Sequence, residues 1–281
     1  QGLVEQVTAQ EVVVGAYRLQ MVRQLAEGGF SKVFLARDPS TRQVYALKQM
    51  LCQDRAAAEM AQREITVLRA VRHRNVVPLV DQMSTACKTH REFLLLFPFF
   101  ERGTAWDAIV RSQESGAPGP FPEQAALRLF CDACSGVYAM HSKGYAHRDI
   151  KPLNILLADD GTGIVMDVGS ACPARREVRN RQEALLLEEE AAIVCSAPYR
   201  PPELTVVNPG VVVDERVDVW ALGCTLFALA FGHSPFESPR EGVLKLAIVN
   251  GKFSFPPGRR CGGNAYSDGF CELVQWVLNA D

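Results

Sequence analysis

The first hundred residues consist of short apolar runs separated by polar turns. The segments "YRLQMVRQL", "KVFLARD" and "QVYALKQM" are rich in Val, Leu and Tyr, and the turns "AEGG" and "PSTR" separate them. This pattern predicts three strands between residues 17 and 50. Two later runs, "VVPLVDQM" and "EFLLLFPFF", predict two further strands. We therefore expect a five-stranded antiparallel sheet.

A helical pattern interrupts these strands. The segment "DRAAAEMAQREITVLRAV" is rich in helix formers, and its i, i+4 spacing places Met60, Glu64 and Leu68 on one face. It predicts a single helix. Residues 17–99 are therefore expected to form a small α+β lobe, preceded by a flank at residues 1–16.

The chain after Phe100 is mainly helical in pattern. The segment "PEQAALRLFCDACSGVYAMHSKG" has Pro122 at its start and Gly144 at its stop, with apolar or small residues at 126, 129, 130, 133, 137 and 140. The run "VWALGCTLFALAFG" is apolar on all sides but shorter than the roughly 20 residues of a membrane span, so it predicts a buried core helix. The segment "SQESGAPGP" is typical of a surface loop.

These patterns divide the chain into two lobes that meet near residue 100, the second covering residues 100–281. A cleft between lobes is a common place for a small ligand. The sequence ends within the helical pattern "CELVQWVLNAD", so we expect the second lobe to be incomplete at its C-terminal end. The sequence from Gln1 shows no signal-peptide pattern, and the missing initiator Met indicates a fragment. The presence of an N-terminal lipid signal is therefore not decided by this sequence.

Composition narrows the class of protein. The 281 residues are 48% hydrophobic, which is enough for a sizeable core, and the formal charge of −2 provides no basic field for nucleic acid. We therefore expect no nucleic-acid partner. The nine cysteines are odd in number, and only Cys131 and Cys134 form a C-x-x-C pair. Buried reduced thiols in a cytosolic protein are favoured over a zinc site or a disulfide framework.

The stretch "AHRDIKPLNILL", from Ala146 to Leu157, carries the most specific chemistry. It places Asp149, Lys151 and Asn154 on a predicted loop between a helix and a short strand, where side chains are held but exposed. A polar turn ending a helix would also explain this stretch taken alone. Other segments must decide between the two interpretations.

Five further segments occur in a matching order. They are "YALK" with Lys48, "QREI" with Glu64, "MDVG" with Asp167, "RPPE" with Glu203 and "DVWALG" with Asp218. The loop resembles the H-R-D-x-K-x-x-N catalytic loop of protein kinases, and with these segments the resemblance covers nearly the whole chain. It implies the bilobal α+β kinase fold, with a five-stranded antiparallel N-lobe carrying one helix and a mainly helical C-lobe.

The resemblance implies roles for the charged residues and two cofactors, ATP and Mg²⁺. Asp149 would accept or orient the proton of the substrate hydroxyl, and Lys151 would neutralise the γ-phosphate. Lys48 would hold the α and β phosphates, and Glu64 would hold Lys48. The predicted metal ligands are Asn154 and Asp167. A lysine at position 151 resembles serine/threonine kinases.

The resemblance also implies a nucleotide site. The stretch "LAEGGFSKVFLA" could be a plain hairpin, but a glycine-rich loop followed by a strand fits a kinase, with Leu25, Ala26, Glu27, Gly28 and Gly29 over the phosphates. Three apolar residues, Val33, Ala46 and Leu156, would sandwich the adenine. Phe97 would be the gatekeeper, Pro98 would offer its carbonyl to the adenine amino group, and the Phe100 N–H would donate to the ring.

Several positions depart from the kinase pattern. Ala26 and Ser31 replace the outer glycines of the loop, Val168 replaces the phenylalanine of D-F-G, and Pro201 replaces the alanine of A-P-E. None of these changes removes a charge that phosphoryl transfer needs. The alternative is a pseudokinase scaffold that binds nucleotide without transfer, but such chains usually lose the residues retained here as Lys48, Asp149 and Asp167. A small-molecule kinase is a third option, against which "DVWALG" and "PPEL" argue.

Within the kinases, the phrases "LAEGGF", "GYAHRD", "MDVGS" and "PFFERGT" resemble the Numb-associated kinase family. The most similar branch is that of the myristoylated and palmitoylated serine/threonine kinases. This resemblance implies a protein substrate and a cytoplasmic location. It also implies peripheral association with Golgi or vesicle membranes through an N-terminal lipid that this chain does not show.

The segment from Asp167 to Glu203 has an unusual composition. Its only hydroxyl side chains are Ser170, Ser196 and Tyr199, so we expect activity that does not require phosphorylation of the segment. The stretch "RQEALLLEEEAA" predicts a helix that docks on the helical lobe through residues 185–187. A disordered acidic loop is the alternative. The arginine partner of Glu203 is expected beyond residue 281.

Overall fold

The computed structural model describes residues 10–28, 31–87, 89–115 and 120–280. The chain divides into two compact units, one formed by residues 1–72 and 77–99 and the other by residues 73–76 and 100–281. Residues 73–76 therefore belong to the second unit, although the sequence analysis placed them in the first lobe.

In its described residues, the first unit is an antiparallel sheet with one helix, α1, at Arg55–Ala70. Its strands are β1 (Glu11–Val14), β2 (Tyr17–Glu27), β3 (Ser31–Arg37), β4 (Val44–Cys52), β5 (Asp81–Ala86) and β6 (Arg91–Pro98). The spatial order is β1-β2-β3-β4-β6-β5. The predicted α+β class is confirmed, but the described part of this unit contains six strands of the sheet where five were expected.

The additional strand, β1, lies in the stretch that the sequence analysis treated as a flank. Val12 pairs with Leu19 and Val14 with Tyr17, across a turn that contains Gly15. Gly15 has a φ of 55°, a left-handed conformation that glycine adopts without steric cost. Val14 is fully buried, so this strand contributes to the core. The hydrophobic pattern did not indicate β1 and β2 as separate strands because only residues 15 and 16 lie between them.

The register of the sheet places the predicted nucleotide residues of this unit on one face. Val33 is opposite Lys48, and Ala46 is opposite Phe97. Residues two apart on a strand share a face, so these four side chains lie on the same side of the sheet. The neighbouring positions on the strands contribute to a core cluster on the other side that includes Leu47 and Leu96.

Helix α1 begins after Asp54, whose side chain accepts a hydrogen bond of 2.8 Å from the Ala57 amide. Its buried residues are Ala61, Glu64, Ile65, Val67 and Leu68. Met60 lies in the same i, i+4 row as Glu64 and Leu68, as predicted, but it is 42% exposed whereas the other two are buried. The buried stripe is centred on positions 61, 64, 65 and 68, which follow the helical period and leave residue 60 at its edge.

The second unit is mainly helical. Its helices are α2 (Ala105–Glu114), α3 (Glu123–His141), α4 (Arg181–Val194), α5 (Pro202–Thr205), α6 (Arg216–Phe231), α7 (Lys245–Val249) and α8 (Asp268–Val277). Its paired strands are β7 (Tyr145–Ala146) with β10 (Cys172–Pro173), β8 (Ile155–Leu157) with β9 (Gly163–Val165), and β11 (Arg176–Val178) with β12 (Val211–Val213). Two shorter ribbons pair β13 (Glu237–Ser238) with β14 (Gly242–Val243), and β15 (Arg260–Cys261) with β16 (Asn264–Ala265).

The core of the second unit surrounds α6, which packs against α3 and α8. All six apolar or small positions predicted for α3 are buried, so the periodicity of that helix is confirmed. Helix α6 is buried from Trp220 to Phe231 and ends at Gly232 with a φ of 82°. It is therefore the predicted core helix. Among the described residues, no helix combines the length and apolar character that crossing a membrane requires.

Two loop and strand predictions need correction. The strand predicted from residue 76 begins only at Asp81, because Val76 forms a bridge with Val165 of the second unit. The predicted surface loop at residues 112–120 starts inside a helix, since α2 extends to Glu114, and residues 116–119 lie outside the described part of the chain.

The cysteines and the described acidic and histidine side chains give no metal cluster. All nine cysteines are free thiols. No group of three or more His, Cys, Asp or Glu side chains within the described ranges could hold a metal ion. The expectation of buried thiols holds for four of them, Cys52, Cys195, Cys224 and Cys271, whereas Cys87 and Cys131 are exposed.

Candidate active site

The loop that carries Asp149 is anchored by a buried carboxylate on α6. Asp218 is fully buried and accepts backbone hydrogen bonds of 2.7 Å from both His147 and Arg148. The ring of His141 lies 2.8 Å from the same carboxylate. Arg148 has a φ of 70°, an unfavourable conformation for a side-chain-bearing residue. The bonds to Asp218 stabilise that conformation, so the core helix fixes the backbone beside Asp149.

Asp149 lies in a short network of charged and polar groups. Its Oδ1 accepts a hydrogen bond of 2.9 Å from the Ser196 amide, and its Oδ2 accepts one of 2.7 Å from Lys151 Nζ. Lys151 also donates to Ser196 Oγ over 2.6 Å. The carboxylate is therefore held in one orientation beside a lysine, the arrangement that positioning a substrate hydroxyl requires.

Asn154 is oriented by the same loop. Its side-chain Nδ2 donates to the Asp149 backbone carbonyl over 2.7 Å and to Asp149 Oδ2 over 3.1 Å. The backbone carbonyl of Asn154 accepts a hydrogen bond of 2.9 Å from the Met166 amide. Because the amide nitrogen faces Asp149, the amide oxygen is the atom that can bind a cation. Asp167 follows Met166 in a left-handed conformation with a φ of 59°, and it is exposed.

The strand that leads to Asp167 is held by Asn75, a residue that the sequence analysis missed. Asn75 Nδ2 donates to the Gly163 carbonyl over 2.8 Å, and the Asn75 carbonyl accepts from the Val165 amide over 2.9 Å. Asn75 is 2% exposed, so both bonds are shielded from water. Its only sequence signal is a polar residue that immediately precedes an apolar run.

The predicted lysine and glutamate of the first unit form an ion pair. Lys48 Nζ lies 2.8 Å from Glu64 Oε1 and 3.0 Å from Oε2. The side chain of Glu64 is only 5% exposed and that of Lys48 is 15% exposed. A pair this shielded from water is held in a fixed geometry, so β4 and α1 together position the ammonium group.

The glycine-rich loop is partly described. Leu25, Ala26 and Glu27 end β2, and the Gly28 amide donates to the Ser31 carbonyl over 2.8 Å, which closes the hairpin. Gly29 lies outside the described residues. Hence the predicted hairpin geometry is present up to Gly28.

The remaining predicted nucleotide residues are half-buried. Pro98 ends β6 opposite Tyr45, one residue after Phe97. In the second unit, the Phe100 carbonyl accepts a hydrogen bond of 3.1 Å from the Gly103 amide. Leu156 is the middle residue of β8 and forms a bridge with Thr104. Partial burial leaves apolar surface on each of these side chains for contact with a planar ligand.

The segment after Asp167 contains the predicted helix. The Asn180 side chain caps α4 by accepting a hydrogen bond of 2.9 Å from the Glu183 amide. The alternative prediction of a disordered acidic loop is therefore wrong. Leu187 is buried with Ala184 and Ala191, at the spacing of one helical face. Leu185 and Leu186 are 49% and 52% exposed, so the prediction that the whole run 185–187 docks is wrong for these two residues. One helical face cannot include three consecutive residues.

The segment continues into a tightly bonded turn. Ser234 Oγ donates to the Pro198 carbonyl over 2.6 Å, and Arg200 Nη2 donates to the Cys195 carbonyl over 2.8 Å. Burial raises the pKa of Tyr199 well above its usual range and that of Cys195 to about 11, so both side chains are neutral. Burial also raises the pKa of Glu203. These bonds fix the residues that follow Ser196.

Comparison with known proteins agrees with this geometry. The profile described as "Protein kinase domain" matches residues 19–281. The chain is 40% identical to human "Serine/threonine-protein kinase 16" and 42% identical to the rat protein of that name, covering 96% of this chain and 87% of each relative. It is 28% identical to "Serine/threonine-protein kinase ENV7" of Saccharomyces cerevisiae, over 94% of this chain and 87% of that protein.

The profile match extends over almost the entire chain and includes both the ion pair of the first unit and the anchored loop of the second. Two relatives at 40% identity or more, each covered over most of its length, agree with it. The chain belongs to the protein kinase family.

Proposed function

We propose that this chain is a serine/threonine protein kinase that transfers the γ-phosphoryl group of ATP to a hydroxyl of a protein substrate. The observation that carries the proposal is the network in which Lys151 and the Ser196 amide hold the Asp149 carboxylate. A carboxylate in that orientation can accept the proton of an incoming hydroxyl. Family membership and the names of the relatives support the same reaction.

Each charged residue has a distinct part in this proposal. Asp149 orients the acceptor hydroxyl, and Lys151, whose Nζ lies 2.7 Å from Asp149, offsets negative charge on the transferred group. Lys48, held by Glu64, binds the α and β phosphates. Fixed cations of this kind suit phosphoryl transfer, because that reaction depends mainly on position and charge.

The described residues fit Mg²⁺ as the second cofactor. Magnesium prefers oxygen ligands and is usually bound by one or two carboxylates together with substrate phosphates. Asp167 supplies an exposed carboxylate, and Asn154 supplies an amide oxygen whose orientation is set by its bonds to Asp149. When bound, the ion neutralises charge on the β and γ phosphates.

The nucleotide residues named from the sequence remain part of the proposal. The phosphates would lie under residues 25–29, the adenine would contact Val33, Ala46 and Leu156, and Phe97 would be the gatekeeper. Pro98 would accept a hydrogen bond from the adenine amino group, and the Phe100 amide would donate one to the ring. The shared sheet face of Val33, Ala46, Lys48 and Phe97 supports this assignment.

The finer assignment is also a proposal. We place the chain in the Numb-associated kinase family, in its myristoylated and palmitoylated branch, on the phrases quoted above and the similarity to kinase 16. A cytoplasmic protein held peripherally at Golgi or vesicle membranes by an N-terminal lipid follows from that branch. Fractionation of cells expressing the full-length protein tests this location, and recovery only in the supernatant would contradict it.

The reaction is tested by incubating the purified chain with ATP, Mg²⁺ and a generic protein substrate, followed by phosphoamino-acid analysis. We expect phosphoserine or phosphothreonine, and loss of transfer when the metal is chelated. Phosphotyrosine alone would contradict the acceptor class. Tight nucleotide binding without transfer would favour the pseudokinase scaffold.

A further inference from the structure

We propose that Glu190, on α4, is a positioning residue for phosphoryl transfer that acts through Arg148. Many kinases order this segment by pairing an added phosphate with an arginine. Here a carboxylate encoded in the sequence takes that place. The inference rests on the proposed kinase function and extends it to the way in which the active arrangement is maintained.

Glu190 bridges two arginines on separate elements. One carboxylate oxygen accepts a hydrogen bond from Arg148 Nη1, and the other accepts one of 2.7 Å from Arg176 Nη1. Arg148 belongs to the loop that carries Asp149, and Arg176 begins β11. A single side chain of α4 therefore connects the helix both to the catalytic loop and to the strand that precedes it.

Burial makes this contact important for Arg148. Its side chain is only 4% exposed, and its Nη2 has no hydrogen-bond partner among the described residues. Its Nη1 also contacts Cys172 Sγ at 3.5 Å, but burial raises the pKa of that thiol, so it carries no compensating charge. Removal of the partner of a buried charge is strongly destabilising, so Arg148 depends on the carboxylate of Glu190.

Glu190 is suited to remain charged. Although burial favours its neutral form, Arg148 and Arg176 lower the pKa of Glu190 below its ordinary value. The carboxylate is therefore present throughout the neutral pH range without any modification. A phosphate would bring more charge, but the two-oxygen bridge between guanidinium groups has the same chemistry.

The route from Glu190 to the reaction is short. Glu190 binds Arg148, and Ser196, on the same segment, binds Asp149, which is the next residue of the loop. Two points six residues apart on the segment thus hold two consecutive residues of the loop. Loss of the first contact should loosen the second, and with it the turn at residues 196–200.

The hydroxyl groups of the segment are engaged elsewhere. Ser170 Oγ donates to the Val194 carbonyl over 3.0 Å, and Ser196 Oγ accepts from Lys151 over 2.6 Å. Tyr199 is shielded enough from water that the pKa of its phenol is strongly raised. None of the three occupies the position opposite Arg148 that Glu190 fills.

The test compares Glu190→Gln with Glu189→Gln in protein shown by mass to carry no phosphate. The control removes a charge from the adjacent, exposed residue of the same helix. We expect Glu190→Gln to lower kcat/KM for the protein substrate by about 10- to 100-fold, the scale of a misplaced reacting group. The Kd for ATP should be unchanged. Amide hydrogen exchange over residues 176–200 should become faster in this variant alone.

Three results would overturn the inference. They are equal kcat/KM in the two variants, unchanged exchange over residues 176–200, and loss of ATP binding in Glu190→Gln, which would indicate a general rather than a positioning role. If no protein, including the wild type, transfers phosphate, the proposed function fails. The exchange comparison then decides separately whether Glu190 orders residues 176–200, because it requires no activity.

Discussion

The backbone amide of Ser196 donates a hydrogen bond of 2.9 Å to Oδ1 of Asp149. This bond joins the segment after Asp167, at a point just beyond the end of α4, to the carboxylate that would orient the substrate hydroxyl. It forms in the unmodified sequence, and it is reinforced by Lys151, which binds both residues. The segment is therefore already in contact with the catalytic loop without a phosphate.

The first prediction is that unmodified protein is active. The ordered helix α4 and the bond from Ser196 to Asp149 supply the order that phosphorylation supplies elsewhere. Protein coexpressed with a phosphatase, and shown by mass to be unmodified, should give linear initial rates. A long lag, or activity that appears only after phosphate enters residues 167–203, would refute this expectation.

The second prediction concerns Lys48. Lys48→Ala should lower kcat/KM for ATP on the order of 10²-fold, because the phosphates lose a cation that Glu64 holds in place. Lys32→Ala is the matched control, since Lys32 lies on the neighbouring strand with an exposed side chain. Steady-state rates at varied ATP measure both. Full kcat/KM in Lys48→Ala would place the mechanism itself in doubt.

The third prediction follows from the raised pKa of Glu203. Burial favours the protonated form of Glu203 in the folded chain, so the folded chain binds a proton there more readily than the unfolded chain does. The contribution of Glu203 to the free energy of unfolding is therefore largest below the ordinary pKa of glutamate. It falls as the pH rises through the raised pKa of the folded chain. Glu203→Gln should raise the Tm of the 281-residue chain at pH 7.5, with the gain shrinking towards pH 4.

The control for that prediction is Glu177→Gln, which removes an exposed carboxylate from β11. Differential scanning fluorimetry across the pH range compares each variant with the wild type. The account of Glu203 would be wrong if its variant gained nothing at pH 7.5, or if the gain were the same at every pH.

The fourth prediction concerns close packing at Gly136 on α3. A Cβ at this position would collide with the Asn75 carbonyl, which binds the Val165 amide ahead of Asp167. Replacement of glycine by alanine inside a helix normally stabilises it by about 1 kcal/mol. Here we expect Gly136→Ala to lower the free energy of unfolding by about 1–3 kcal/mol through overpacking.

The matched control is Ser135→Ala, at the adjacent exposed position of α3. Urea denaturation of both variants measures the difference. Because the helix propensity and the collision have opposite signs, a stabilised Gly136→Ala would show that the backbone at Asn75 has room to move.

The parts of the fold that the sequence predicted are those governed by one periodicity. In α3 the helical period identified every predicted apolar position, and in α6 the unbroken apolar run identified a core helix. Likewise, the order of short motifs indicated Asp149, Lys151 and Asn154, which the structure brings together in one network.

The remaining features depend on contacts between distant segments. Three consecutive glutamates give no indication that Glu188 binds the Val207 amide while Glu190 binds Arg148. The role of Asn75 depends on its hydrogen bond to Gly163, which lies 88 residues later in the chain. Such pairings are set by tertiary packing, which local pattern does not contain.

The most direct test of the kinase assignment is the Asp149→Asn variant. Loss of the carboxylate that orients the hydroxyl should cut kcat by about 10²- to 10⁴-fold, while the Kd for ATP and the Tm remain near those of the wild type. Asp159→Asn, in an exposed turn of the same unit, should keep full activity. Turnover in Asp149→Asn equal to that of the wild type would contradict the role of Asp149 and the mechanism built on it.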